Sequence, residues 1–210
     1  SPQDHKILIN YCKKKSLKFL TTPFDIKSLN LLKKFNLGFY KISSGDIDNF
    51  PLLNKLGKLK KKIFLSTGMS NMNDISFAIK TLISAGTPKK NISILHCTTS
   101  YPTKYDDVNL NVINTLKKKF KVKIGYSDHT LGIEIPIAAV SLGAEIIEKH
   151  VTLNNNFKGP DHKTSLTIKD FKKMVIAIRN TELALGTHKK SILKSEKENI
   201  LSSRKSIVAG

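Results

Sequence analysis

Three short stretches carry most of the reactive side chains. In GYSDHT, Gly125 to Thr130, the alternating run KVKI leads straight into Ser127, Asp128 and His129. In EIIEKHVT, at 145–152, Glu148 and His150 stand two residues apart at the end of an apolar run. In FYKISSG, at 39–45, Lys41 sits inside a strand-like segment and is followed by Ile42. Residues two apart on a strand share a face, so Ser127 pairs with His129 and Glu148 with His150 on the same sides of their strands. Imidazoles at matching positions on consecutive strands are suited to one divalent ion completed by oxygen ligands. Such a mixed N/O set fits Mn²⁺ or Mg²⁺ better than structural zinc. A lysine within an apolar strand needs an anionic partner. A phosphate or carboxylate ligand would serve, as would Asp46 in a structural ion pair, and Schiff-base chemistry is a third use for such a lysine.

The other predicted strands end in the same manner. LKFLTTPF (17–24) carries Thr21 and Thr22, FYKISSG carries Ser43 and Ser44, KIFLSTGM (62–69) carries Ser66 and Thr67, and ISILHCTT (92–99) carries His96, Thr98 and Thr99. One such hydroxyl ordinarily caps the next helix. Six strand ends together describe a rim for a phosphorylated ligand, because the C-terminal strand ends of parallel α/β folds converge on one face.

The elements that must position these residues alternate regularly. Helical spacing appears at 2–15, 25–36, 50–59, 72–86, 108–120, 133–143 and 167–186, the last opened by Thr167 and Asp170 in capping-box spacing. A leading helix followed by six β-α units of roughly 25 to 30 residues is the spacing of parallel strands with helical crossovers. A doubly wound sheet or a TIM barrel fits, and the lack of a G-x-G-x-x-G or Walker pattern after any strand takes weight from the nucleotide-binding version. As a barrel, six units are two short.

Composition narrows the function classes. The 210 residues, 40% hydrophobic, can bury one domain's core, and no apolar run reaches the length of a membrane span. The N-terminal SPQDHKILIN lacks the apolar stretch of a signal peptide, and Cys12 and Cys97 make no disulfide framework, so a cytoplasmic home is expected. The net charge of +20 gathers in runs such as KLKKK (58–62) and KKKFKVK (117–123). These lie in helices or just before strands with no aromatic residues interleaved, which describes a solvated face rather than a nucleic-acid surface. Their positive field would attract a small anionic substrate.

The motifs FLTTPFD, YKISSGDI, FLSTGM, LHCTTSYP, GYSDHTLG, EKHVTL and GPDHKTSL, in this order and at these intervals, resemble the N-acetylneuraminate (sialic acid) synthase family from Lys18 to Ala209. The resemblance implies a TIM barrel that condenses phosphoenolpyruvate with an open-chain N-acetylhexosamine such as N-acetylmannosamine, giving a nine-carbon 2-keto acid and phosphate. By the same resemblance His129 and His150 are the metal ligands and, with Lys41, the catalytic residues. Thr22, Lys41, Ser44, Ser66 and Ser127 would hold phosphoenolpyruvate, with Thr99 standing where some members use asparagine. Asp46, Tyr101 and Asp161 would contact the amino sugar, Asp46 replacing a glutamate of some members. The family's first two strands supply a glutamate and a further lysine that have no counterpart here. SRKSIVAG matches the point where the barrel hands over to an antifreeze-like domain. The chain is therefore expected to be an incomplete TIM barrel spanning 1–210, strands three to eight, inactive alone and homodimeric in its full-length form.

Legionaminic or pseudaminic acid synthases, which use a diacetamido-hexose, are the nearest alternatives, and GPDHKTSL looks more like the sialic and legionaminic branch. Octulosonate and heptulosonate synthases fit HCTTSYP poorly. A non-catalytic relative and a basic nucleic-acid-binding module are readings from other classes. His96 and Cys97, adjacent on a strand, face opposite sides and are expected to be a hydrogen-bonded imidazole and a packed thiol. His5 and His188 are expected in solvent, and His162 near the substrate.

Overall fold

A computed structural model describes residues 1–205; residues 206–210, the end of the SRKSIVAG segment, lie outside the described residues. After helix α1 (Pro2–Lys14) and helix α2 (Ile26–Lys33) the chain alternates strand and helix. Strand β1 (Phe39–Ile42) is followed by α3 (Phe50–Gly57), β2 (Lys62–Ser66), α4 (Met72–Ser84) and β3 (Ile92–His96). Then come α5 (Val112–Phe120), β4 (Lys123–Asp128), α6 (Glu134–Ser141) and β5 (Ile146–Lys149). Short strands β6 (Val151–Thr152) and β7 (Leu166–Thr167) precede α7 (Ile168–Leu185) and α8 (Lys197–Ser203). Among the described residues no helix is long and apolar enough to cross a membrane.

Strands β1 to β5 form one parallel sheet in the order of the sequence. A doubly wound sheet reverses its order at a switch point. Here every crossover steps the same way, and right-handed crossovers then place all helices on one face. This is the arc of a barrel, five strands wide. Alternation sorts the side chains accordingly. Tyr40, Ile42, Ile63, Leu65, Ile92, Ile94, Ile124 and Tyr126 turn toward the helices and join the main core with leucines and isoleucines of α2 to α5. Burying each such side chain contributes about 1.5–3 kcal/mol. The intervening residues, among them Lys41, Ser66 and Ser127, face the concave side.

Two sequence expectations need correction. The segment 17–24 is extended, as its pattern implies, but only Leu17 in it has a backbone hydrogen bond, to Cys12 at the end of α1. A strand requires a ladder partner as well as extended dihedrals, so the sheet has five strands where six were expected. The expected strand 145–152 breaks at His150: β5 stays in the main sheet, while β6 pairs with β7 in a separate two-stranded sheet. That region has its own small core of Val140, Leu166, Met174 and Ile178. Thr167 caps α7 as predicted, its hydroxyl accepting the Asp170 N–H at 3.2 Å. His5, half-buried, stacks on Phe35 with ring centroids 5.7 Å apart.

Gly125 lets neighbouring strands pack closely on the concave side. A Cβ there would lie 2.5 Å from Leu95 Cδ2 and 2.6 Å from the Ile146 carbonyl oxygen, and the backbone oxygen can yield only if the strand moves. The Gly125→Ala variant is expected to lose about 1–3 kcal/mol of stability. A urea midpoint equal to that of the parent would contradict this packing.

Candidate active site

The concave-facing strand ends enclose a cavity of about 400 Å³, large enough for a small ligand. Of the residues predicted for the site, Thr22, Lys41, Ser44, Ser66, Thr99, Tyr101, Ser127, His129 and His150 line it. Thr22 arrives on the unpaired segment 17–24, and the others on strands or the turns that follow them.

The wall built by β1, β4 and β5 centres on Glu148. Its Oε1 accepts hydrogen bonds from Lys41 Nζ at 3.1 Å and from Ser127 Oγ at 2.7 Å. Ser127 and Glu148 are ladder partners, whereas Lys41 reaches over from the far strand of the sheet. The anionic partner of Lys41 is thus Glu148 and not Asp46. Glu148 is the residue that the motif-based assignment passed over. The available signal was its spacing from His150, which puts both on the cavity side.

The opposite wall is built from hydroxyls. Ser44 Oγ accepts the Gly68 N–H at 2.9 Å and lies 3.4 Å from Cys97 Sγ. Gly68 has no room for a side chain, since a Cβ would sit 2.2 Å from Thr99 Oγ1. Ser66 Oγ is buried and has no hydrogen-bond partner among the described residues. A buried hydroxyl left unpaired costs about 1–3 kcal/mol, so this atom marks a position where a ligand group would complete the structure.

The two histidines stand side by side, ring centroids 5.5 Å apart. His129 Nδ1 lies 2.7 Å from the Thr98 carbonyl oxygen, which can only accept, so Nδ1 carries the proton and Nε2 presents a lone pair. His150 Nδ1 lies 3.8 Å from Asp161 Oδ2, beyond hydrogen-bond distance. Burial, and then the neighbouring His150, hold the pKa of His129 below the usual imidazole value, keeping the ring neutral. Tyr101 covers both rings, with centroids 4.2 Å from His129 and 5.7 Å from His150. The two neighbouring imidazoles, with Nδ1 of His129 held by the backbone, fit a divalent ion as ligands through Nε2. Among the described residues no group of three or more His, Cys, Asp or Glu forms a metal cage, so oxygen donors from solvent or substrate would have to fill the remaining positions.

Two predicted residues stand apart from the cavity lining. Asp46 accepts hydrogen bonds from Ser43 Oγ at 2.5 Å and Asn49 Nδ2 at 3.0 Å, which occupies its carboxylate at the start of α3. Asp161 lies outside the lining, beside His150. His162 bonds Thr152 Oγ1 through Nδ1 at 2.8 Å and is likewise outside. His96 turns to the helix side, its Nε2 donating to the Val108 carbonyl at 2.8 Å, while Cys97 faces the cavity.

The profile of a family described as the NeuB family matches residues 1–190. An N,N'-diacetyllegionaminic acid synthase of Campylobacter jejuni is 49% identical over 98% of this chain and 61% of its own length. The human N-acetylneuraminate-9-phosphate synthase is 36% identical over 93% of this chain and 54% of its own. The chain thus spans little more than half the length of these relatives. Among solved structures, an N-acetylneuraminic acid synthetase from Leptospira borgpetersenii in complex with citrate superposes with a TM-score of 0.88. It is 37% identical, and the match covers 96% of this chain and 70% of that one.

Two outcomes are expected from this geometry. Ser66→Ala removes an unpaired polar atom, so it should unfold at equal or higher urea than the parent, gaining up to about 1 kcal/mol. A clear loss of stability would show that the hydroxyl is satisfied. The second concerns pH. Burial is the main cause that places the folded pKa values of His96 and His129 below 6.5, so the unfolded chain takes up those protons first. Stability is therefore full above pH 6.5 and declines as the pH falls from there toward the lowered folded values. Urea midpoints measured between about pH 7.5 and about pH 5.5 check this, and a flat profile would contradict it.

Proposed function

The chain belongs to the NeuB family, and from that premise we propose that its cavity serves the condensation of phosphoenolpyruvate with an open-chain N-acetylhexosamine. The products are a nine-carbon 2-keto sugar acid and free phosphate. The observation that supports this most is the convergence on one small cavity of the Lys41 ammonium, the unpaired Ser66 hydroxyl and the paired imidazoles of His129 and His150.

In this reading Lys41, Ser44, Ser66 and Ser127 bind the phosphate and carboxylate of phosphoenolpyruvate, with Thr22 and Thr99 closing the same end. Tyr101 and Asp161 border the acceptor sugar, and Asp46 acts on it only through the turn that it braces. His129 and His150 would hold a divalent ion, Mn²⁺ or Mg²⁺, which when bound supplies Lewis-acid polarisation of the acceptor's carbonyl. Holding the enol ester and the aldehyde in one cavity replaces a bimolecular encounter by an oriented one. Carbon–carbon bond formation from C3 leaves positive charge at C2. Water adds there, and phosphate leaves by C–O cleavage. The donors of Lys41 and the serines are placed to stabilise the departing phosphate charge.

The relative with 49% identity, a diacetyllegionaminic acid synthase, favours a diacetamido-hexose as acceptor. N-acetylmannosamine is the second reading, favoured by the sialic acid synthetase structure at 37% identity. Phosphate release from phosphoenolpyruvate by the intact protein, with Mn²⁺ and each acceptor in turn, tests both. Release is expected with one acceptor only. It should fall at least about a hundredfold in Lys41→Met, as for loss of a charge-stabilising donor, and be lost in His129→Ala and His150→Ala. Release that ignores the acceptor, or that survives both histidine substitutions, would sink the proposal.

A further inference from the structure

Asp128 and Lys149 face away from the cavity, on the helix side of β4 and β5. Their side chains are 0% and 1% exposed, unlike every other ion pair among the described residues. They are direct ladder partners. Lys149 Nζ contacts Asp128 Oδ2 and also donates to the Thr130 carbonyl, both at 2.5 Å. Asp128 Oδ1 accepts the Thr130 N–H at 3.0 Å and the Thr130 hydroxyl at 2.9 Å. Both carboxylate oxygens and the ammonium thus have hydrogen-bond partners.

A buried ion pair is a poor source of stability, because removing two charges from water offsets most of their attraction. Its best-attested use is to fix how two elements are aligned. Alignment is what the paired histidines require. The residue after Asp128 is His129, and the residue after Lys149 is His150. A slip of one residue between these strands would carry one imidazole to the wrong face. Apolar neighbours would pack in several registers, whereas a lysine and an aspartate buried opposite each other tolerate one.

We propose that Asp128 and Lys149 are positioning residues for the two imidazoles, holding β4 and β5 at one stagger so that both Nε2 atoms address the same point in the cavity. The inference rests on the reading of His129 and His150 as holders of a divalent ion. The clamp extends past His129, because Thr130 is tied to Asp128 through its N–H and hydroxyl and to Lys149 through its carbonyl. On the other strand the His150 carbonyl accepts the Leu166 N–H at 2.9 Å, which fixes the backbone where β5 leaves the sheet.

Mn²⁺ binding to the intact protein, followed by the EPR signal of the free ion, tests this, with Co²⁺ visible absorption as a readout of ligand geometry. The parent is expected to bind Mn²⁺, and His129→Ala to abolish binding. Asp128→Leu combined with Lys149→Met replaces the pair by apolar groups of similar volume. That double variant is expected to unfold at or above the parent's temperature, yet to bind Mn²⁺ about tenfold more weakly or worse, the lower range for disturbed ligand support, with altered Co²⁺ bands. Parental affinity and bands in the folded double variant would overturn the proposal. If the double variant does not fold, Lys149→Arg decides, since it keeps the charge but not the single-point contact to both oxygens. Weakened Mn²⁺ binding at an unchanged unfolding temperature would support the proposal, and unchanged binding would overturn it. A parent protein that binds no Mn²⁺ through His129 would instead overturn the metal reading itself, and this inference with it.

Discussion

Successive side chains of a strand point to opposite faces, and in this sheet every crossover helix lies on the same face. That combination divides each strand between two tasks. Tyr40 and Ile42 are given to the core while Lys41, between them, is given to the cavity; Leu65 packs where Ser66 does not. The site therefore cannot be altered independently of the sheet. Any change of register that moved a serine or histidine off the concave face would also expose the isoleucines and leucines that bind the helices to it.

This constraint explains why some of the site was legible in the sequence. Lys41, Ser127, His129 and His150 reveal themselves as polar residues at alternate positions within or at the end of apolar strands, a local pattern that needs no knowledge of the partner strand. Glu148 was harder to place because its partner Lys41 lies 107 residues away, and no spacing rule reports so distant a pairing. Asp46 shows the opposite difficulty. Its motif neighbours suggest a ligand contact, but Ser43 and Asn49 offer hydrogen bonds three residues away on either side, and short-range bonds of this kind form wherever the backbone turns. The segment 17–24 was half legible: its composition favours extended backbone, but whether an extended segment joins a sheet depends on hydrogen bonds to residues outside it.

The electrostatics of the cavity differ from those of the surface. The chain as a whole carries +20, mostly as lysines on helices and loops, yet inside the cavity one ammonium is matched by one carboxylate. The outer field draws anions inward. At the wall, Lys41 is oriented before a ligand arrives, its side chain only 11% exposed and fixed by Glu148, so little conformational freedom is lost on binding. The hydroxyls opposite are held unequally: Ser44 is bonded to the Gly68 amide, and Ser66 is not bonded at all.

His129 and His150 are neighbours in space, but they hang from regions of different cohesion. His129 follows β4, whose Ile124 and Tyr126 belong to the large core shared by helices α2 to α6. His150 sits at the break between β5 and β6, backed by the four-residue core that α6 and α7 enclose. Proteins open in cooperative units whose cost scales with the contacts each must surrender. The two cores meet at β5, whose Ile147 packs against both, so loosening of the smaller one would reach His150 before His129. The site thus straddles the seam between the large core and the small one.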